Sequence, residues 1–194
     1  NRLTREQRSG APGYDATYTY DALGNRLVKN ASGALTTSTY DLANQLETSE
    51  DADGTTVHTY DDAGNLNVVE QPSGQRTTTT WDDQNRQTGV VLPTGAITTC
   101  TYRFDGVRSS KEVADGTTKF LWDFENYLAE TDDQDEIQAV YTNELQQYGN
   151  LISQYRKGPT IWVPSYYHYD ALGSTRALTD DGGDTTDTYL YDAW

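Results

Sequence analysis

The chain has 194 residues, with 30 acidic against 14 basic side chains and a net charge of −16. Such a balance lacks the Lys/Arg footprint that nucleic-acid phosphates require and disfavours docking on an anionic membrane surface. No apolar run approaches the roughly 20 residues that span a bilayer, and no signal peptide is legible. Aromatic residues make up 11% of the chain, 15 of them Tyr, which is more apolar material than a disordered acidic chain carries. The chain has no Met, begins at Asn1-Arg2-Leu3-Thr4 inside what reads as a repeat, and stops at Tyr191-Asp192-Ala193-Trp194, so it reads as a fragment of a longer protein.

In chain order, an aromatic residue followed by Asp recurs at Tyr20-Asp21, Tyr40-Asp41, Tyr60-Asp61, Trp81-Asp82, Phe104-Asp105, Trp122-Asp123, Tyr169-Asp170 and Tyr191-Asp192. The spacings are 20, 20, 21, 23, 18, 47 and 22, and the gap of 47 holds Gln146-Gln147-Tyr148-Gly149-Asn150-Leu151 as a degraded copy. A period near 20 means that one supersecondary unit is repeated. Runs such as TTSTY to Tyr40, TTVHTY to Tyr60, RTTTTW to Trp81, ITTCTYRF to Phe104, TTKFLW to Trp122 and DTYLY to Tyr191 precede the Asp. β-Branched and aromatic residues at period two predict strands with one buried face. Counting back by two places Tyr20 with Tyr18, Phe104 with Tyr102 and Cys100, Trp122 with Phe120, Tyr169 with Tyr167 and Tyr191 with Tyr189 on one aromatic face. Thr78, Thr80, Thr99 and Thr101 fall on the other, wet face.

After the Asp comes a breaker, as in DALGN, DLAN and DDAGN. Asp suits the first position of a type I turn, where its carboxylate accepts backbone N–H groups, and Gly or Asn suits a following positive φ. Asp21 to Gly24 and Asp61 to Gly64 therefore predict hairpin ends. A second polar turn, such as NASGAL, DADGTT or QPSGQR, leads into the next run. Residues 143–155 are the one stretch with helical spacing, interrupted by Gly149, and residues 156–166 read as a loop carrying Trp162.

Few side chains suggest chemistry. Cys100 is alone, which excludes an internal disulfide framework and a thiolate zinc site, and it reads as a small buried hydrophobe. The acid-rich turns at 50–56, 131–136 and 180–187 could offer oxygen to calcium, but an EF-hand loop is unmatched: with Gly54 at the glycine position, Ser49 and Tyr60 fall on the first and last ligands. His168 and Asp170 lie two apart with no nucleophile implied. No carboxylate pair stands out for glycoside hydrolysis. Asn30-Ala31-Ser32 fits a glycosylation acceptor as well as a turn. The expected tally is no catalytic, cofactor-binding or metal-ligating residue, no cofactor and no enzyme.

The copies YDALGNRL, YDLANQL and YDDAGNL, together with residues 120–144 and 166–194, resemble the YD-repeat (Rhs-repeat) family. That family includes bacterial Rhs proteins, toxin-complex C components, wall-associated proteins and teneurins. The resemblance covers essentially the whole chain. It implies an all-β fold in which repeated antiparallel β-hairpins form part of a YD-repeat β-shell, a spiral strip. It divides the chain into repeats of about 20 residues over 1–118, degenerate repeats with an insertion loop over 119–165, and the start of the Rhs-associated core over 166–194.

The function implied is structural and encapsulating, the wall of a hollow shell that in relatives encloses a C-terminal toxin or effector domain. The expected partners are other repeats of the same parent chain and that downstream domain, with self-association through exposed strand edges, no nucleic acid and no membrane insertion in this segment. Export, secretion or display at the cell surface is the expected location. The family's self-cleaving core has no counterpart in these residues, so no protease role is carried over. The alternative is a cell-surface adhesion module for glycans or a protein. A shell buries the Tyr/Trp ladder, whereas an adhesin leaves aromatics near Trp162 or Tyr166 open.

Overall fold

The structure, a computed structural model, describes residues 2–10, 13–146 and 149–191. The described residues contain 18 strands and no helix. The chain divides into two compact units, Asn1–Ile97 and Thr98–Trp194.

In the first unit the strands are β1 (Arg5–Arg8), β2 (Tyr14–Tyr20), β3 (Arg26–Ala31), β4 (Ala34–Tyr40), β5 (Leu46–Asp51), β6 (Gly54–Tyr60), β7 (Leu66–Glu70), β8 (Arg76–Trp81) and β9 (Gln87–Val91). Each pairs antiparallel with its chain neighbour, as β4 does with β5 and β6 with β7. The second unit repeats the meander with β10 (Ile97–Tyr102), β11 (Arg108–Val113), β12 (Gly116–Asp123), β13 (Asn126–Thr131), β14 (Ile137–Asn143), β15 (Leu151–Lys157), β16 (Trp162–Tyr169), β17 (Thr175–Thr179) and β18 (Thr185–Thr188). One sequence period is thus two strands and two turns.

The two kinds of turn alternate along each meander, so the aromatic–Asp turns share one edge. There, five-residue loops such as 21–25, 41–45, 61–65 and 82–86 join the strands, and each follows a bulge. Thr59 opposes Val68 and Tyr60 opposes Leu66, which leaves Asn67 as the extra residue. At the other edge of the first unit, Ser32-Gly33 with φ of 52° and 98° makes a two-residue hairpin turn between Ala31 and Ala34.

The aromatic at each strand end joins neighbouring repeats. Tyr40 Oη–H donates to the Arg26 carbonyl at 3.0 Å, Tyr60 to Leu46 at 3.1 Å, and Trp81 Nε1–H to Leu66 at 3.0 Å. In the second unit Trp122 donates to Arg108 at 2.9 Å and Tyr169 to Leu151 at 2.7 Å. The acceptor is the first residue after the preceding loop of the same edge, so each ring spans a repeat boundary. Tyr and Trp interchange because both combine a broad apolar ring with a donor at its tip.

Alternation places Tyr18 and Cys100 on a buried face, while Thr80, Thr99 and Thr101 are exposed and Thr78 is half-buried. The wet face is knitted by cross-strand hydroxyl pairs, Thr39 with Thr48 at 2.7 Å and Thr80 with Thr88 at 3.1 Å. Burial is sparse. Among the described residues the buried hydrophobics are Ala16, Tyr18, Cys100, Ala129, Ala139, Tyr141 and Leu178, and no large side chain is fully enclosed.

Four local expectations are corrected. Phe104 does not end a strand. Gly106, with φ of +90°, must take the fourth, left-handed position of its loop, which puts Arg103 first and leaves Phe104 95% exposed. Trp122-Asp123 opens a loop one residue shorter, with Trp122 opposite Tyr127 and Asp123 opposite Asn126.

The third correction concerns residues 143–166, which are mostly strand. β15 and β16 pair from Ser153–Tyr166 to Lys157–Trp162, with a turn only at 158–161. Pro164 is tolerated inside β16 because β17 pairs only from Tyr166 onward, leaving a flank where a missing N–H removes no ladder bond. Finally, the run through Tyr189 and Tyr191 is not strand, since β18 stops at Thr188 and both rings are exposed. Tyr148 and Asp192 lie outside the described residues.

Replacing Tyr60 with Phe keeps the ring and removes the hydrogen bond to Leu46, at a cost of about 0.5–1.5 kcal/mol. Tyr60→Trp, which mimics Trp81, retains most of the stability. Urea unfolding at unchanged m-value measures both, and equal midpoints for Phe and Tyr would remove the donor from the account.

Candidate functional site

The recurrent site is the aromatic–Asp turn. In the 61–65 loop the Asp61 N–H donates to the Asn65 carbonyl at 2.9 Å and the Gly64 N–H to the Asp61 carbonyl at 3.0 Å. This is a type I turn closed by a left-handed fourth residue. That fourth position is Gly24, Asn44, Gly64 and Asn85 in successive loops, with φ of 109°, 62°, 88° and 58°. Asp61 Oδ1 accepts the N–H of Ala63 at 3.0 Å and of Asn65 at 2.8 Å. Asp41, Asp82, Asp132, Asp170 and Asp180 repeat the pattern. Backbone donors from Asn65 hold the Asp61 carboxyl below the usual range, as the Arg86 guanidinium holds that of Asp82.

The fifth residue links adjacent turns. Asn25 Nδ2 donates to Asp21 Oδ2 at 2.8 Å and to Asn44 Oδ1 at 3.0 Å, and Asn65 Nδ2 reaches Asp61 Oδ2 at 3.1 Å and Asn85 Oδ1 at 2.9 Å. The recurring Gly-Asn pair is thus a φ requirement followed by a bridge.

The second unit holds a polar cluster with no motif to announce it. Glu130 Oε1 accepts from Tyr127 Oη at 2.9 Å and Tyr141 Oη at 2.7 Å, while Arg156 forks onto Oε2 at 2.7 Å and Oε1 at 3.1 Å. Arg156 also donates to Tyr141 Oη at 2.7 Å. The Tyr127 ring lies 4.5 Å from that of Tyr141 and 4.9 Å from that of Trp122. Burial opposes ionisation of Glu130, but donors from Arg156, Tyr141 and Tyr127 outweigh it and hold the carboxyl low. Burial first, and the carboxylate second, push both phenols up. The group is a clamp across β13, β14 and β15 in which the carboxylate, both phenols and the guanidinium engage one another.

The degraded copy is also found here. Asn143 stands at the aromatic position, after a bulge at Thr142, and its Nδ2 donates to the Tyr127 carbonyl at 2.8 Å, as the rings do elsewhere. The other sequence candidates stay apart. His168 Nε2 meets Thr179 Oγ1 at 3.0 Å, whereas Asp170 caps its own turn. Cys100 is buried, with Arg108 Nη1 4.0 Å from its sulfur. In the three acid-rich turns Asp51, Asp132 and Asp180 are engaged with loop N–H groups. Among the described residues no three His, Cys, Asp or Glu gather as a metal group.

Two outcomes test these contacts. Glu130→Ala strands two phenols and the guanidinium and costs about 2–4 kcal/mol, more than Arg156→Ala, since Arg156 is the more exposed partner. Desolvation lowers the His58 pKa below its ordinary 6.5. The unfolded chain therefore takes up the proton first, and stability present above pH 6.5 falls as the pH drops below it. His58→Ser, which copies Ser38 of the preceding repeat, flattens that part of the pH–stability curve and leaves the carboxylate part near pH 4 in place.

With this geometry in view, the comparisons with known proteins agree. The family described as RHS Repeat matches residues 60–97. The chain is 31% identical over 207 aligned positions to the tRNA3(Ser)-specific nuclease WapA of Bacillus spizizenii and, likewise, to the tRNA nuclease WapA of Bacillus subtilis strain 168. All of this chain aligns in both cases, but it spans 8% of the length of each relative. The crystal structure of TcdB2-TccC3-Cdc42 superposes with a TM-score of 0.56 at 14% identity, over 89% of this chain and 13% of that one. TcdB2-TccC3 superposes with a TM-score of 0.55 at 14% identity, over 90% and 12%. At that identity the likeness concerns the fold alone. By the RHS Repeat match and the whole-chain likeness to the WapA relatives, the chain belongs to the YD-repeat, or Rhs-repeat, family.

Proposed function

We propose that this segment is part of the wall of a hollow β-shell built by a longer chain, and that the shell encloses a C-terminal effector domain. The observation that carries the reading is the scarcity of burial. Only seven hydrophobic side chains are buried among the described residues, although a free-standing domain normally packs two layers around one core. A wall needs no second layer of its own, because neighbouring repeats and contents cover its faces. The segment's contribution is physical: it separates what lies on its two sides, and it performs no chemistry itself. The WapA relatives, named as tRNA nucleases, fit a chain in which repeats accompany an effector domain located elsewhere.

In this reading residues 1–118 are regular repeats, 119–165 degenerate ones and 166–194 the start of the core, in a protein that is exported or displayed at the surface. Its partners are the remaining repeats and the effector domain, and free strand edges of the isolated segment pair with further copies. A second reading, surface adhesion, is favoured by one observation. Trp162 is 42% exposed, as expected for an open ring, whereas Tyr166 is half-buried.

The deciding experiment is on the full-length parent. Intact-mass analysis asks whether its C-terminal region is cleaved yet co-purifies, protected from added protease. Cleavage with protection is expected for a shell. An uncleaved, protease-accessible C-terminus would favour adhesion.

A further inference from the structure

We propose that the aromatic–Asp edge of the second unit is a docking surface for a cationic, amphipathic segment of a partner protein. Four successive turns share that edge, 103–107, 124–125, 144–150 and 170–174. Their tips carry Phe104, Phe124, Leu145 and Leu172, each 82% or more exposed. Turns on one edge are two strands apart, so the tips recur at about 10 Å. Single exposed apolar residues are ordinary, but a comb of four on one edge is an unpartnered apolar feature. Turn chemistry does not call for it: Leu23 and Leu42 stand likewise at exposed tips of the first unit, but its 61–65 and 82–86 loops place Asp62, Ala63, Asp83 and Gln84 at the same positions.

Two further observations define the occupant. Between the second and third tips lies a groove of about 510 Å³, lined in part by Asn126, Leu128, Asn143 and Leu145. Asn126 Oδ1 is buried there and accepts no hydrogen bond among the described residues. An unpaired buried acceptor calls for a donor. The same edge is acidic, with Asp105, Asp123, Glu125, Glu144 and Asp170 in or beside the four loops against Arg103, which pairs with Asp105 at 2.6 Å, and Arg108. A second copy would meet like charge, and an anionic surface would be repelled. A polypeptide alternating Lys or Arg with large apolar residues meets all three demands. It offers N–H donors to Asn126, cations to the carboxylates and apolar contacts to the tips.

The test uses the 194-residue chain and three probes: a twelve-residue alternating Lys–Leu peptide, a Lys–Gly peptide of equal charge, and phosphatidylcholine vesicles. Fluorescence anisotropy at physiological salt is expected to show the Lys–Leu peptide binding about tenfold or more tightly than Lys–Gly, as burial of two or three apolar side chains implies. The triple variant Phe124→Asn, Leu145→Ser, Leu172→Ser removes that advantage, while Ile161→Ser, an exposed apolar change at the other edge, keeps it. Asn is chosen at position 124 because the φ there is 52°. Equal binding of both peptides, or no loss in the triple variant, overturns the proposal. So does a tip-dependent change only in vesicle binding or self-association, which would assign the comb to lipid or to a second copy. Circular dichroism confirms that each variant folds.

Discussion

The structure depends on a hydrogen bond that crosses the repeat boundary, from the polar tip of a strand-end aromatic to the first carbonyl after the preceding loop. A bulge leaves that carbonyl outside the regular ladder's rhythm, and an unpaired buried carbonyl is costly. Tyr40, Tyr60, Trp81, Trp122 and Tyr169 satisfy it while their rings cover the hairpin behind. A single hairpin is marginal in water, and this contact makes each copy contribute to its neighbour. Asn143 is informative because it abandons the ring and keeps the bond. What the position requires first is a donor; aromatic area comes second.

Much of this was legible in the residues because the repeat exposes its own grammar. Period-two runs predicted strands, and Asp followed by Gly or Asn predicted a capped turn with one left-handed residue, as at Asp61 and Gly64. The letters of a motif mislead where backbone demand overrides them. Phe104-Asp105 has the right spelling, but Gly106 determines where the left-handed position falls, and the pair shifts into the loop. Asn143 carries the boundary contact of the degenerate copy, and no aromatic spelling marks it. The two prolines near Trp162 argued for a loop, and only the length of β17 explains how Pro164 fits a strand. The Glu130–Arg156 pair is separated by 26 residues and lies on strands of different hairpins, so no local pattern could reveal it.

The thinness of the sheet links fold to role. Strength comes from backbone ladders, cross-strand hydroxyl pairs such as Thr39 with Thr48, and turn caps, none of which demands a thick core. Both faces therefore remain available for polar or apolar decoration, as the Thr-rich strands of the first unit and the Glu130 cluster of the second illustrate. The same economy explains how relatives can share the fold at 14% identity. Within this chain the copies share a strand-end donor, a turn carboxylate and a left-handed residue, and most other positions vary from copy to copy.

The boundary-crossing bonds are also short-range in sequence, joining residues 14 apart at Tyr40 and Tyr60 and 18 apart at Tyr169. Nothing in such a contact waits for a distant part of the chain. A polypeptide emerging N-terminus first from a ribosome or an export channel can close each hairpin as soon as the next twenty or so residues are free, like teeth engaging behind a slider. Low contact order of this kind favours fast, sequential folding. It also lets such a chain gain or lose whole periods over evolution without rewriting what lies beyond the neighbouring copy.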